Sequence, residues 1–159
     1  MQFITDCEGP ISKNDNALEL AINFLPEGEK FFTQLSRYDD FLALIGRERY
    51  KAGDTLRLIL PFLKAYGATD EKIVEYSRKN ILLMPGAKET LLFVRERMPS
   101  FIVSTSYQPY VRVLCEVIGF PLENVYCTEV KIDKYNISQA EVGTVSYTHL
   151  RAHETGRNL

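Results

Sequence analysis

Two short segments of the chain carry residue types that suit phosphoryl transfer. Asp6 and Glu8 stand one residue apart after an apolar-rich run, and Ser104 and Thr105 follow another such run. One carboxylate can attack as a nucleophile while a second carboxyl passes a proton to or from the reacting oxygen. A hydroxyl at a neighbouring strand end can donate a hydrogen bond to a phosphoryl oxygen. The spacing favours an aspartate-based site, although Asp6 also suits a turn cap and Glu8 a solvated turn.

The elements that must position these residues follow from the apolar pattern. Strands are predicted at 2–5, 101–103 and 124–130. Helices are predicted at 14–25, 29–45, 54–66 with a bend at Pro61, 69–79, 87–97 and 110–118. This order predicts an α/β fold with a parallel sheet and crossover helices, in which Asp6 and Ser104 both end strands at the ligand-binding edge. In the second helix, the acidic pair Asp39-Asp40 is typical of an exposed helix face or a cap.

Composition limits the classes of function. The chain has 159 residues, 45% of them hydrophobic, and a formal net charge of −2. This is enough for a one-domain core, and it disfavours nucleic acid as a partner because no broad basic surface exists. The apolar runs fall short of the roughly 20 residues that span a bilayer, so no membrane insertion is expected. The start of the chain has no leader pattern, which predicts a cytoplasmic location.

The cysteines and histidines exclude several kinds of site. Cys7, Cys115 and Cys127 are odd in number and lack CxxC spacing, which argues against a disulfide framework or a structural zinc site. Both histidines, His149 and His153, lie in the last stretch of the chain. Ser-His-Asp, Cys-His and His-ligated zinc chemistries all need an imidazole, so they are excluded for residues 1–144.

The segment 145–159 is predicted to be a non-native tail. Apolar periodicity disappears there, and nearly all of the segment resembles a translated sequencing-adapter artefact that recurs at the ends of predicted proteins. A genuine disordered tail of mixed composition is the alternative. Neither interpretation gives the segment a chemical role.

The two reactive segments resemble motifs of the haloacid dehalogenase (HAD) superfamily. Residues 3–11, Phe-Ile-Thr-Asp-Cys-Glu-Gly-Pro-Ile, are similar to its first motif, and residues 101–106, preceded by 84–90, are similar to its second. The resemblance implies that Asp6 is the catalytic nucleophile and Glu8 the catalytic acid and base. It also implies that Ser104, with Thr105 as its competitor, binds phosphate, and that Asp6 and Glu8 are metal ligands for Mg²⁺.

The same resemblance implies a domain organisation and an activity. The fold would be a Rossmann-like HAD core with a helical cap inserted after the first strand, truncated at its C-terminal end. Residues 1–12 and 82–144 would form the incomplete core, and residues 13–81 the cap. The function would be magnesium-dependent hydrolysis of a small phosphomonoester through an aspartyl-phosphate on Asp6. Loss of a later strand would leave residues 2–5 at an open, apolar sheet edge that favours aggregation.

Some features depart from the superfamily pattern. Residues 6–15 and 103–107 most resemble an archaeal subgroup, some members of which are described as subunit R of energy-converting hydrogenase A. Glu8 stands where the superfamily usually has an aspartate. No convincing third-motif lysine or fourth-motif acidic pair precedes residue 144. Lys131 and Lys134 are interpreted as solvated surface charges. The chain as given is therefore expected to bind magnesium poorly and to be inactive. The alternative function is a non-catalytic HAD-like accessory subunit or binding module with a protein partner, such as an archaeal hydrogenase complex.

Overall fold

The computed structural model describes residues 1–48, 50 and 53–155, without the side chains of residues 150 and 152–155. It is a mixed α/β structure that divides into two compact units. The first contains Met1–Asn16 and Asp70–Lys131, and the second contains Ala17–Thr69 and the described residues from Ile132 onward. No helix within these described ranges has the length and apolar character needed to cross a membrane.

The first unit contains a small, open, parallel sheet. Its strands are β1 (Phe3–Thr5), β2 (Ser100–Tyr107) and β3 (Val125–Thr128), in the order β1-β2-β3. Thr5 pairs with Ile102 and Ile102 with Val125, and the pairing shifts register beyond Val103. The parallel order confirms the predicted fold class at this level, whereas assignment to a HAD core stays a prediction. β2 is longer than predicted and includes the Ser104-Thr105-Ser106 segment, because its last residues pair again with β3 at Tyr107.

Helices connect the strands and fill the second unit. They are α1 (Asn16–Phe24), α2 (Gly28–Leu44), α3 (Thr55–Leu58), α4 (Leu60–Ala65), α5 (Asp70–Asn80), α6 (Ala87–Arg95), α7 (Gln108–Ile118) and α8 (Gln139–Thr155), with short 3-10 turns at Leu122–Asn124 and Ile132–Lys134. The six predicted helices agree with α1 to α7 to within a few residues. The bend expected at Pro61 is an interruption at Ile59, which separates α3 from α4.

One face of the sheet is covered by the apolar sides of α6 and α7. Ile102 at the middle of β2 is fully buried against residues of these helices, and Phe3, Val125 and Cys127 pack on the same cluster. The other buried members of this core are Cys7, Ile11, Ala87, Leu91, Tyr110, Val111, Leu114, Cys115, Ile118 and Phe120. Every second residue of a strand points to the same face, so a single face of each strand meets this core.

The opposite face of the sheet is exposed and apolar. Ile4 pairs with Phe101 and Val103 with Tyr126, and alternation along the strands places these four residues on one side. Ile4, Val103 and Tyr126 are 54%, 47% and 61% exposed. β1 also lies at an edge of the described sheet, as the sequence predicted. Because parallel sheets are almost always covered on both faces, an exposed apolar face of this kind is unusual.

The second unit is organised around α2. Asp39 near its end is buried, and its carboxylate accepts hydrogen bonds from the hydroxyls of Tyr50 and Thr55 and from the N–H groups of Gly53 and Thr55. Of the two predictions for the acidic pair, the exposed helix face holds for Asp40, whereas Asp39 is buried and acts as a cap. The long-range bonds explain the difference, since Asp39 caps the first turn of α3 rather than its own helix.

The segment after residue 138 forms a helix, which the sequence did not predict. Ser138 and Glu141 make a capping box at the start of α8, with the Ser138 N–H and hydroxyl both donating to the Glu141 carboxylate at 2.8 and 2.7 Å. His149 is buried, with its ring stacked on Phe31 at 4.5 Å and its Nε2 2.8 Å from the Pro26 carbonyl oxygen. The non-native origin of 145–159 stays a prediction, and residues 156–159 lie outside the described residues.

Candidate functional site

Asp6 lies directly after β1, at the carboxyl end of the sheet. Its side chain is exposed, and its Oδ1 accepts a hydrogen bond of 2.6 Å from the Cys7 N–H. The Thr5 hydroxyl donates to the Asp6 carbonyl oxygen at 2.9 Å, which fixes the backbone at the end of the strand. Asp6 therefore presents a carboxylate to solvent from a backbone that is held in place.

The turn that follows Asp6 is closed by its own backbone. The N–H groups of Ile11 and Ser12 both donate to the Cys7 carbonyl oxygen at 3.0 Å, and the Gly9 N–H donates to the Ser12 carbonyl oxygen at 2.8 Å. Gly9 has a φ of +93°, which side-chain-bearing residues rarely adopt. This turn places Glu8 at a defined position next to Asp6.

The base of the turn is anchored by buried polar groups. The hydroxyls of Ser12 and Tyr110 lie 2.5 Å apart, and the Asn14 amide bonds to the Asn80 carbonyl oxygen at 2.8 Å and the Leu82 N–H at 2.9 Å. Ser12, Asn14 and Tyr110 are each at most 4% exposed. Buried hydrogen bonds of this kind make the position of the turn specific, because each group left unpaired would cost free energy.

Glu8 is half-buried and its carboxyl is held from two sides. Its Oε1 accepts hydrogen bonds from the Ser106 hydroxyl at 2.7 Å and from the Asn16 N–H at 3.0 Å. Burial raises the pKa of Glu8 above its ordinary value, and the two hydrogen bonds oppose this only in part. Both hydrogen bonds are accepted by Oε1, and no described residue donates a hydrogen bond to Oε2. A carboxyl with a raised pKa and one open oxygen suits a role in proton transfer.

The hydroxyl residues at the end of β2 divide into two groups. Ser104 is half-buried, with its Oγ 3.0 Å from that of Ser106 and accepting the Ser106 N–H at 3.2 Å. Thr105 is exposed, and its carbonyl oxygen accepts a hydrogen bond of 2.6 Å from the Thr128 hydroxyl. The structure thus joins Ser104 to Glu8 through Ser106, whereas Thr105 contacts β3.

Ser106 is the residue of this site that the sequence reading missed. It is 2% exposed and bonds to both Glu8 and Ser104. The available signal was its spacing, since residues two apart in a strand share a face and Ser106 follows Ser104 by two. Among the described contacts, no hydrogen bond joins the Asp6 carboxylate to Glu8 or to Ser104.

The thiol beside Asp6 has no catalytic character. Cys7 is completely buried, and burial raises the pKa of its thiol far above the ordinary value, with the neighbouring Glu8 carboxyl acting in the same direction. A thiol in this state stays protonated and is a poor nucleophile. The carboxylate of Asp6 is therefore the better candidate at this strand end.

The described residues do not by themselves fit a magnesium ion. Mg²⁺ prefers six oxygen ligands in octahedral geometry. Asp6 and Glu8 supply two carboxylates, and one Glu8 oxygen already accepts two hydrogen bonds. In the parts of the chain that the structure covers, no group of three or more His, Cys, Asp or Glu residues is placed to hold a metal. Magnesium binding by Asp6 and Glu8 stays a prediction.

Solved structures provide the only matches to known proteins. No protein-family model matches the chain, and neither does any curated protein. The chain is similar to the gene product AF1437 from Archaeoglobus fulgidus. Over 93% of this chain the two share 33% sequence identity and a TM-score of 0.85, and the chain spans 47% of the length of AF1437. The α/β fold is therefore shared with an archaeal protein, and this chain spans about half of that protein's length.

A second solved structure shares the fold alone. DsGPDH of Dunaliella salina matches 80% of this chain with a TM-score of 0.51 and 16% identity, and the match covers 20% of that protein. At this identity the likeness carries no information about the chemistry of the site. It agrees with a common α/β arrangement that larger proteins also contain.

Proposed function

We propose that this chain is a portion of a phosphomonoester hydrolase of the HAD type, which acts through an aspartyl-phosphate on Asp6. The observation that carries the proposal is the placement of three groups at neighbouring strand ends. Asp6 is exposed after β1, Glu8 follows it in a closed turn, and Ser104 at the end of β2 is linked to Glu8 through Ser106. Nucleophile, acid and base, and phosphate-binding hydroxyl are the parts that this chemistry needs.

The first step uses Asp6 and Glu8. A carboxylate oxygen of Asp6 attacks phosphorus, and the ester P–O bond breaks as the aspartyl-phosphate forms. Protonated Glu8 gives its proton to the leaving oxygen, so that an alcohol departs. The raised pKa of Glu8 supports this role, because a larger fraction of its carboxyl carries a proton than in an ordinary glutamate.

The second step regenerates the site. Ionised Glu8 takes a proton from a water molecule as its oxygen attacks phosphorus, and the bond between phosphorus and Asp6 breaks. Inorganic phosphate leaves, Asp6 returns to a carboxylate and Glu8 is again protonated. Ser104 would turn its hydroxyl hydrogen from the Ser106 oxygen to a phosphoryl oxygen during both steps, which would stabilise the negative charge that develops there.

Magnesium and a positive side chain are the parts that the described residues do not provide. A magnesium ion, when bound, would neutralise phosphoryl charge. We propose that the remaining ligands belong to a segment outside this chain, which is supported by its coverage of only 47% of AF1437. No step above depends on the ion, and the small phosphorylated substrate itself stays a prediction.

The test is phosphate release by the full-length protein that contains this chain, assayed with p-nitrophenyl phosphate and magnesium. Asp6→Asn should abolish release while Asp40→Asn, an exposed carboxylate in the other unit, should leave it unchanged. Acid quenching of the wild type should trap one phosphoryl group on protein, and hydroxylamine should remove it. Turnover that is indifferent to Asp6→Asn would rule out this mechanism.

A second candidate is a HAD-like accessory subunit or binding module that has lost turnover. The specific observation in its favour is the engagement of Glu8, whose Oε1 is occupied by Ser106 and Asn16. Association with an archaeal hydrogenase complex rests only on the sequence resemblance. A full-length protein that binds phosphate but releases none from phosphomonoesters would favour this candidate.

A further inference from the structure

The second unit contains a cavity that the proposed chemistry does not use. Its volume is about 490 Å³, and it lies between α4, the stretch 132–137 and α8. Sites for small molecules in proteins typically enclose about 300–1,000 Å³. The apolar side chains that line it are Leu60, Pro61, Ile132, Ile137 and Val145. Only Val145 belongs to the predicted non-native tail, so residues outside that tail build nearly all of the wall.

Two cations also line this cavity. Lys64 has a side chain that is only 21% exposed, with its Nζ 3.5 Å from Asp133 Oδ1, and Arg57 is 78% exposed with its Nη1 3.8 Å from Asp54 Oδ1. Ion pairs at these distances and exposures contribute little free energy, typically about 0–1 kcal/mol. Both cations can therefore exchange a weakly held partner for an anion that enters the cavity.

Glu141, the one carboxylate among the described residues that line the cavity, already accepts other hydrogen bonds. Glu141 accepts the hydrogen bonds of the Ser138 N–H and hydroxyl, and these bonds lower the pKa of its carboxyl. The Glu141 carboxylate is therefore already hydrogen-bonded at the start of α8. The cavity combines an apolar wall with two weakly paired cations, which is the pattern of a site for a molecule that is apolar at one end and anionic at the other.

We propose that this cavity binds a small amphipathic anion, whose hydrocarbon body packs on the apolar wall and whose carboxylate or phosphate group pairs with Lys64 and Arg57. The site is separate from Asp6, and its occupation is measured by binding rather than by phosphate release. Failure of the phosphatase proposal would therefore leave this one standing, and the reverse also holds.

The experiment titrates the full chain by calorimetry with four probes. Octanoate and octyl phosphate carry both parts of the predicted ligand, octanol lacks the charge, and inorganic phosphate lacks the hydrocarbon body. We expect one or both of the first two to bind at least tenfold more tightly than octanol and than phosphate. The better of the two identifies whether the anionic group is a carboxylate or a phosphate. Equal binding of octanol, or no binding of any probe with a hydrocarbon chain, would overturn the proposal.

Variants assign the binding to the cavity. Lys64→Gln should weaken the charged probe about tenfold and leave octanol unaffected, because loss of one charged contact removes about 1.4 kcal/mol. Arg57→Gln tests the same point at an exposed position where folding is not at risk. Leu60→Trp fills the space and should weaken every probe. Lys88→Gln, an exposed lysine in the first unit, is the matched control. An equal loss in Lys88→Gln and Lys64→Gln would show a general charge effect and overturn the assignment.

Discussion

Ser106 donates a hydrogen bond of 2.7 Å to Glu8, although 98 positions separate the two residues. The bond ties the end of β2 to the turn after β1, and the contact of Ser106 with Ser104 at 3.0 Å extends it. The Glu8 carboxyl and the hydroxyls of Ser104 and Ser106 are thereby held together where β1 and β2 end. Any account of this site must include Ser106, because it connects the two segments that carry reactive residue types.

Ser106→Ala is expected to destabilise the fold by about 1–3 kcal/mol. The substitution removes the hydroxyl donor of a half-buried carboxylate, and such a loss costs more than the bond itself contributes. Urea denaturation followed by circular dichroism measures the change. Thr105→Val is the matched control, because its side chain is exposed and its expected change is within about 0.5 kcal/mol. Equal midpoints for the two variants would mean that the Ser106 bond contributes nothing measurable.

Local features explain how much of the fold could be predicted from the sequence. The helical spacing over 29–45 predicted α2, found at Gly28–Leu44, and the spacing over 69–79 predicted α5, found at Asp70–Asn80. Gly and Pro residues at the ends of these runs supplied the boundaries. Pro61 predicted the break before α4 for a covalent reason, since its ring blocks a helical hydrogen bond.

Long-range contacts explain what the sequence did not predict. The strand ends at Asp6 and Ser104 followed from apolar runs, but the role of Ser106 depends on a bond to Glu8 that no local pattern encodes. The helix α8 was not predicted because its second half lacks apolar periodicity, and its contact of His149 with Phe31 is long-range. The helix that Asp39 caps could not be predicted for the same reason, because the partners of its carboxylate lie beyond the end of its own helix.

Asp39→Asn should destabilise the second unit by about 1.5–3 kcal/mol. The asparagine amide keeps the shape of the side chain but loses the negative charge that accepts four hydrogen bonds. Hydrogen bonds to charged groups contribute about 1.5–3 kcal/mol to the free energy of unfolding. Denaturant unfolding at neutral pH measures the loss. Asp40→Asn removes the neighbouring exposed carboxylate and should change the free energy of unfolding by no more than about 0.5 kcal/mol.

The same carboxylate predicts a dependence of stability on pH. Burial alone raises the pKa of Asp39, but the hydrogen bonds from Thr55, Tyr50 and Gly53 outweigh it and lower the pKa below the ordinary value of 3.8. A lowered pKa in the folded state means that this stability is present above 3.8 and is lost as the pH falls through the folded value. The gap in melting temperature between wild type and Asp39→Asn should therefore narrow on acidification from neutral pH. A gap that is constant or widens would contradict the argument.

Val103→Lys on the open face of the sheet should reduce self-association of the chain. The wild-type face carries Ile4, Val103 and Tyr126 without a covering layer, beside the unpaired edge of β1. Exposed apolar surface and a free edge both favour contact between copies, and a lysine at the centre opposes it. Sedimentation velocity over a range of concentrations measures the effect. Val117→Lys on α7, at a site of similar exposure, should leave association unchanged; a wild type that stays monomeric with a cooperative melt would refute the prediction.

Gly28→Ala should be among the most damaging small substitutions in the second unit. A Cβ at this position would lie 2.0 Å from the Ala21 carbonyl oxygen and 2.7 Å from the Ile22 nitrogen, both of which are backbone atoms. Relief therefore requires α1 and the start of α2 to separate, and overpacking of this kind costs about 1–3 kcal/mol or more.

Gly143→Ala provides the opposite expectation for the same chemical change. Gly143 lies within α8, and a Cβ there meets nothing within 4 Å, so alanine should stabilise the helix by about 0.5–1 kcal/mol. Thermal melts of the two variants should thus shift in opposite directions from the wild type. If Gly28→Ala also melts higher, the close approach of α1 and α2 is wrong, because no rearrangement of flexible side chains can accommodate a methyl group between two backbones at that distance.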